Sequence, residues 1–277
     1  MDNNWIIENL ENAFATWNGK LAEIWGLLST SPQNFKGGGV WNAMVNINGA
    51  LTAIGYGLLV LFLAMGIFGS TLNFRDFKRP EQALRFFIRF VAAKAAVTYG
   101  MELMTALFDI CFGVVHTASG QIGSMTAATV SLPGEIRTAI EEMGFFESIP
   151  LWLVTLIGSL FITVLSFVLI LTVYGRFFRL YMYTALAPIP LSTFAAESTA
   201  STGKAFIKSY LGVCLEGAVI VLACVIFTGF IDGDPVYGGG SAVTMAWSYL
   251  GEVVFNMLVL VILVKGSDRI IKEMLGL

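Results

Sequence analysis

Residues 151–174 read LWLVTLIGSLFITVLSFVLILTVY, a run without a single Asp, Glu, Lys or Arg. About 20 consecutive apolar residues allow an α-helix to cross a hydrocarbon layer about 30 Å thick. Within such a layer only a helix or a closed barrel pairs all of its backbone N–H and C=O groups, and an unbroken apolar run of this length is typical of a helix. This stretch therefore predicts a membrane-spanning helix.

The rest of the chain extends this prediction to the whole protein. Of 277 residues, 56% are hydrophobic and 13% are charged, whereas a soluble domain carries about 25% charged residues. The mean hydropathy is +0.77. Further apolar blocks with the length of a membrane span are 40–72, 90–116, 209–231 and 244–264. The composition excludes a soluble globular protein and predicts an all-α, polytopic membrane protein with about five transmembrane helices.

The N-terminal region has a different pattern. Apolar side chains recur there at helical spacing, namely Trp5, Ile6, Leu10, Phe14, Trp17, Leu21, Ile24 and Leu28. This pattern predicts an amphipathic helix over residues 5–29. The helix lies either on a membrane surface or against partner helices, or it packs onto its own chain. The Pro- and Gly-containing stretch 31–39 ends it. We expect residues 1–39 to form an external helix and linker, and residues 40–277 to form the transmembrane domain.

Two smaller features concern packing and loops. Gly49, Ala53 and Gly57 recur within the first apolar block, and small residues let neighbouring membrane helices approach closely. The polar loop 119–150 is expected to contain a short helix after Pro133.

The distribution of charge predicts the orientation of the chain. All but three of the 16 Lys and Arg residues fall in the stretches 73–94, 176–179, 197–208 and 265–277. Cytoplasmic loops concentrate Lys and Arg. We therefore expect these stretches to be cytoplasmic, with the N-terminus outside and the C-terminus inside.

This orientation constrains the stretch YTALAPIPLSTFAAES at 183–198. Its two prolines, Pro188 and Pro190, cannot donate to a helical hydrogen-bond ladder. Because both flanking basic stretches are expected in the cytoplasm, residues 180–197 would leave and return on the same side. Non-helical backbone is tolerated at membrane depth where protein or water satisfies it. The sequence favours a re-entrant or broken element at 180–197 over the alternative, a sixth full span.

A few ionisable residues lie within the apolar blocks. Glu102 and Asp109 are seven residues apart on the second block, His116 continues the same stripe, and Glu216 and Glu252 lie early in the last two blocks. Intramembrane charges are costly and normally face a bundle interior, a partner or water. One interpretation is that they form a proton or ion relay. The alternative is a structural role, in which they pair with Lys94 or Arg89, lie near the membrane interface, or form hydrogen bonds between helices of an oligomer.

A basic, aromatic loop, FRDFKRPEQALRFFIR, occupies residues 74–89. Its cations are Arg75, Lys78, Arg79, Arg85 and Arg89. The pattern is compatible with anionic lipid or single-stranded nucleic acid, although the preference for cytoplasmic positive charge also explains it.

Motifs for catalysis are absent from the sequence. There is no GxxxxGK[ST], GxSxG or HExxH. The cysteines, Cys111, Cys214 and Cys224, lie in apolar blocks without CxxC spacing and are expected to be buried small hydrophobes. We expect no enzymatic activity, cofactor or metal site, so energy for any work would come from a partner or an ion gradient.

The stretch VYGRFFRLYMYTALAPIPLSTFAAE at 173–197 is followed by Lys204 and Lys208 in a small-polar segment, an apolar span, a Gly-rich turn, a last span and a short basic tail. This order resembles the TrbL family (VirB-six-like), the polytopic inner-membrane subunit of conjugative type IV secretion systems. We expect no large extracellular domain and no extended C-terminal tail, an arrangement that is similar to compact family versions of Gram-positive bacteria.

The resemblance implies a channel or scaffold component in the bacterial cytoplasmic membrane. It also implies a ring-like homo-oligomer that helps to pass relaxase-bound single-stranded DNA or to assemble a pilus. Implied partners are a VirB-four-like ATPase, a coupling protein, a pilin-like subunit and the lipid bilayer. The family has no catalytic residues to transfer.

Two other functions stay open on the sequence. An ion-coupled small-solute transporter would use a broken helix and intramembrane carboxylates, but it predicts paired broken helices and the chain has one proline-broken segment. A membrane anchor for another complex is the third possibility.

Overall fold

A computed structural model describes residues 4–71, 80–120, 129–231 and 241–277. These ranges contain nine α-helices and no strand. The helices are α1 (Asn4–Leu28), α2 (Gly39–Thr71), α3 (Pro80–Thr98), α4 (Gly100–Gly120), α5 (Gly134–Glu141), α6 (Phe145–Leu186), α7 (Pro188–Ser192), α8 (Ala200–Ile231) and α9 (Ala242–Leu275). Within the described residues, α2, α4, α6, α8 and α9 are long and apolar enough to cross a membrane. The prediction of an all-α polytopic membrane protein is confirmed.

The chain forms two compact units. Unit 1 comprises Met1–Ser29, Thr117–Gly175 and Ala218–Ser267, and unit 2 comprises Thr30–His116, Arg176–Gly217 and Asp268–Leu277.

Unit 1 contains the amphipathic helix α1. Its apolar stripe is buried: Ile6, Ile7, Leu10, Phe14, Trp17, Leu21, Ile24 and Leu28. The Trp17 ring lies 5.9 Å from that of Phe227 and the Phe14 ring 6.3 Å from that of Tyr249. Trp5 remains 42% exposed. Of the two arrangements that the sequence left open, α1 therefore adopts the one in which it packs onto its own chain.

Several helices continue beyond the predicted spans. The run 151–174 lies within α6, which extends to Leu186. The basic tetrapeptide 176–179 is therefore helical, and its cytoplasmic position stays a prediction. The physical reason is local, because no proline follows Pro150 until residue 188 and nothing ends the helix sooner. The predicted span 209–231 lies within α8, which begins earlier, at Ala200. The predicted span 244–264 lies within α9, which continues to Leu275.

The second predicted span, 90–116, does not coincide with a single helix. It crosses the end of α3 and most of α4, which are separated at Tyr99. The Tyr99 N–H still donates to the Ala95 carbonyl at 2.8 Å, and the Leu103 N–H donates to the Tyr99 carbonyl at 2.9 Å. The apolar candidate span in this region is Gly100–Ala118.

The chain is broken at the two prolines. Residues 180–186 belong to the end of α6, Ala187 forms a turn, and α7 leads into a short 3-10 helix, Thr193–Ala195. We call residues 187–196 the proline turn. The broken element predicted at 180–197 is thus present, whereas re-entry from the cytoplasmic side stays a prediction. The short helix expected after Pro133 is α5.

Candidate functional site in unit 2

The proline turn packs into unit 2 between α2 and α3. Ala187, Leu191 and Ala196 are fully buried. A Cβ atom at Gly55 of α2 would lie 2.9 Å from the Pro188 carbonyl oxygen, and one at Gly66 would lie 3.1 Å from the Ala196 Cβ. Real side-chain atoms rarely approach this closely, so glycine at these positions of α2 admits the turn.

The small residues singled out in the sequence lie on another face of α2. Gly49, Ala53 and Gly57 are exposed, and a Cβ at Gly49 or Gly57 would meet no atom within 4 Å among the described residues. Among the described residues these three positions therefore bring no helix of the chain close to α2, and the expectation that they let a neighbouring helix approach stays a prediction. Spacing alone did not distinguish this face from the face that carries Gly55.

Asn48 completes the hydrogen bonding at the end of α6. In a continuous helix the Thr184 carbonyl would accept from the N–H of residue 188, but Pro188 has no N–H. The Asn48 Nδ2 donates to the Thr184 carbonyl instead, at 2.7 Å, and Asn48 itself is buried. The sequence reasoning missed this residue, although a polar side chain in an apolar span was a usable signal.

We expect Asn48→Ala to destabilise the protein by about 1–3 kcal/mol, because a buried carbonyl loses its donor. Unfolding of the purified protein with dodecyl sulfate in mixed micelles measures the change. Asn46→Ala is the control, since Asn46 lies on the same helix and is exposed. Equal unfolding midpoints for the two variants would contradict this role of Asn48.

A buried arginine lies near the start of the unit 2 part of α6. Arg176 is only 1% exposed. Its Nε donates to the Val213 carbonyl at 3.2 Å and its Nη2 to the Cys214 carbonyl at 3.1 Å. A Cβ at Gly217 would lie 2.7 Å from the Arg176 Cζ. The absence of a side chain at residue 217 therefore provides the space for the guanidinium.

Arg179, one helical turn further, lies between two carboxylates. Its Nη2 donates to both oxygens of Glu216 at 2.7 Å, and its Nη1 lies 3.1 Å from Asp268 Oδ1. Lys272 Nζ lies 2.9 Å from the other Asp268 oxygen. Glu216 is 1% exposed, so its charge is balanced inside unit 2 by Arg179. Glu216 was singled out in the sequence as an intramembrane acid, but nothing in the sequence indicated that Arg179 and Asp268 lie beside it.

Glu102 and Asp109 lie on the accessible side of α4, together with His116. The opposite side of α4 is buried through Met104, Phe108, Cys111 and Val115. Arg89, one of the expected partners of these acids, instead pairs with Glu197 at 3.1 Å. The two acids therefore sit on an apolar candidate span with their side chains directed away from the core of the chain.

The remaining predicted site residues are dispersed. Glu252 is exposed on the part of α9 that belongs to unit 1. Arg85 and Arg89 lie on α3 and are therefore helical, not part of a loop. The helix begins at Pro80, because the fixed backbone angle of proline suits the first position of a helix. Arg75, Lys78 and Arg79 lie outside the described residues.

All three cysteines are buried and free, and no group of three or more metal-ligating side chains occurs in the described part of the chain.

Comparison with known proteins addresses the identity of the chain. A family described as "TrbL/VirB6 plasmid conjugal transfer like protein" matches residues 17–188. The match covers more than half of the chain, from α1 to the first proline of the turn. No curated protein and no solved structure matches the chain. The chain therefore belongs to the TrbL/VirB6-like family of plasmid conjugal transfer proteins, and it is a multi-pass membrane component of a conjugal transfer system.

Proposed function

We propose that this protein is a channel or scaffold subunit of a conjugative type IV secretion system in the bacterial cytoplasmic membrane. It supports the transfer of relaxase-bound single-stranded DNA or the assembly of a pilus, and it acts as a homo-oligomer. Family membership supports the role in conjugal transfer, and the surface of α4 supports the oligomer.

The observation that carries the proposal is the accessibility of Glu102 and Asp109 on α4. A charged side chain at the centre of a bilayer costs about 2.5–3.5 kcal/mol or more. Asp109 lies midway along the candidate span Gly100–Ala118 and is therefore poorly suited to lipid, and Glu102 lies on the same accessible face in the first turn of α4. This face suits either the same helix of a second copy or a water-filled passage between copies.

The orientation and the partners follow from charge and from the family. The Lys- and Arg-rich stretches 73–94, 176–179, 197–208 and 265–277 favour a cytoplasmic C-terminus and an external N-terminus. A VirB-four-like ATPase, a coupling protein and a pilin-like subunit are the expected neighbours. The chain would depend on them for energy, because its sequence carries no nucleotide-binding motif.

A transporter is less well supported than a scaffold. A midplane transport site needs carboxylates that converge on one cavity. Glu216 is instead paired with Arg179, while Glu102 and Asp109 face away from the core of the chain.

The test replaces both acids of α4 by leucine and measures self-association and donor transfer. Interhelical polar contacts in membranes contribute about 1–2 kcal/mol each in model peptides, so losing two weakens self-association about thirtyfold or more. We expect cross-linked oligomers of the Glu102→Leu, Asp109→Leu variant to be lost in membranes, and the transfer frequency from donor cells to fall with them.

The matched control removes two acids outside the candidate spans, Glu141 and Glu142, which are exposed near the end of α5. Leucine at these positions should leave both readouts unchanged. Normal oligomers and normal transfer in the α4 variant would overturn the proposal. Unchanged transfer after deletion of the whole gene from a conjugative element would also overturn it.

A further inference from the structure

Unit 2 has an open cavity of about 580 Å³ between α3, the start of α8 and Phe194 of the proline turn. Three wall residues are cationic, namely Arg85, Arg89 and Lys204. One wall residue, Glu81, is acidic. The cavity therefore carries an excess of positive charge.

Two of the three cations in the cavity wall, Arg85 and Lys204, are accessible to a ligand. Arg89 is half-buried and pairs with Glu197. Arg85 and Lys204 are exposed, and neither has an ion-pair partner among the residues that the structure describes. They approach the cavity from different helices, α3 and α8, so an anion between them would be held from two sides.

The rest of the wall is apolar. Leu84 and Ile88 line the cavity and are each 58% exposed. The accessible face of α3 continues with Phe87 and Val91, which are also exposed. A helix that exposes large apolar side chains beside arginines is typical of the boundary between lipid headgroups and acyl chains.

We propose that this cavity binds one anionic phospholipid. Its phosphate lies between Arg85 and Lys204, and an acyl chain follows Leu84 and Ile88 along α3. Basic pockets beside membrane helices are suited to anionic headgroups. A single nucleic acid strand fits the cavity less well, since such strands need several stacking aromatic rings and Phe194 is the one aromatic residue among the described wall residues.

The bound lipid would connect α3 to α8 beside the proline turn. Phe194 reaches α8 closely, because a Cβ at Gly203 would lie 2.8 Å from its ring. The proposal requires only that the chain resides in a membrane. It does not depend on a channel or a scaffold role in DNA transfer.

The test is native mass spectrometry of the full-length protein, purified in a neutral detergent and titrated with palmitoyl-oleoyl phosphatidylglycerol or with the matching phosphatidylcholine. We expect the first equivalent of phosphatidylglycerol to bind more tightly. A basic residue beside an anionic headgroup changes affinity about fivefold, so Arg85→Gln with Lys204→Gln should weaken this binding about 25-fold.

The matched control is Lys208→Gln with Arg269→Gln, which removes the same two residue types elsewhere. Lys208 donates to the Leu275 carbonyl and Arg269 pairs with Glu273, and neither lines the cavity. The control should keep the preference for phosphatidylglycerol. A second variant, Ala92→Trp, fills the cavity without changing charge and should also weaken binding, which separates a lipid in the cavity from general attraction to anions.

Three outcomes would overturn the proposal. The first is equal binding of the two lipids by the unmodified protein. The second is displacement of phosphatidylglycerol by glycerol phosphate at comparable concentration, which would indicate a site for a free phosphate. The third is displacement by oligo(dT) at lower concentration than the lipid, which would indicate a nucleic acid surface. All three are independent of transfer frequency, so they are distinct from failure of the conjugative role.

Discussion

Gly55→Leu is expected to prevent the proline turn from packing and to remove most of the folded protein. A Cβ at this position would lie 2.9 Å from the Pro188 carbonyl oxygen and 3.1 Å from Val97 Cγ1. The first of these atoms belongs to the backbone and cannot rotate away. Overpacking of a rigid core costs about 1–3 kcal/mol and sometimes more, and a larger side chain against buried backbone belongs at the upper end.

The matched control for this prediction is Gly57→Leu on the same helix. A Cβ at Gly57 would meet no atom within 4 Å among the described residues, and leucine favours a helix over glycine by up to about 1 kcal/mol. The control should therefore be as stable as the unmodified protein, or slightly more stable. The measurement is the monodisperse fraction in size-exclusion chromatography, followed by the unfolding midpoint. Similar behaviour of the two variants would mean that the turn does not approach α2 as closely as described.

Arg179→Met is expected to be the most destabilising change in the charged cluster. It leaves Glu216 buried without the guanidinium that binds both of its oxygens. Breaking a buried ion pair on one side typically costs about 3–5 kcal/mol. Glu216→Leu should cost less, because Arg179 is partly exposed and keeps Asp268 at 3.1 Å.

The double variant Arg179→Met, Glu216→Leu separates the pair from its surroundings. Replacing a buried ion pair by apolar side chains of similar volume is often neutral or stabilising, so much of the stability lost in Arg179→Met should return. Arg269→Met with Glu273→Leu is the control. This pair is 85% and 64% exposed, and such pairs contribute about 0.3–0.5 kcal/mol. Strictly additive effects of the Arg179 and Glu216 substitutions would show that the two side chains do not interact.

The charged cluster and the proline turn are neighbours along the chain. The end of α6 carries Arg179 in the charged cluster, and the chain then breaks at Pro188. Asn48 lies on α2, which also carries Gly55 and Gly66, so a single helix both accepts the turn and donates to the carbonyl that the proline leaves open. This arrangement explains how Pro188 is accommodated in an apolar chain without an unsatisfied Thr184 carbonyl.

Much of the fold was predictable because it depends on local properties. The length of the apolar run at 151–174 predicts a helix in a membrane, and the spacing of Trp17, Leu21 and Ile24 predicts which face of α1 is buried. The missing N–H of Pro188 predicts where α6 ends. The continuation of α6 through 176–179 and the start of α8 before residue 209 were less predictable, because basic residues suggest where a membrane ends but do not end a helix.

By itself, the sequence determined an all-α membrane protein, an amphipathic first helix and a break at the prolines. Apolar length, periodicity and the absent proline donor are sufficient for these features. Only the tertiary structure decided that Gly55 and not Gly57 receives the turn, and that Glu216 meets Arg179. Such pairings depend on which faces of two helices come together, and each helix offers several faces with similar small or charged residues.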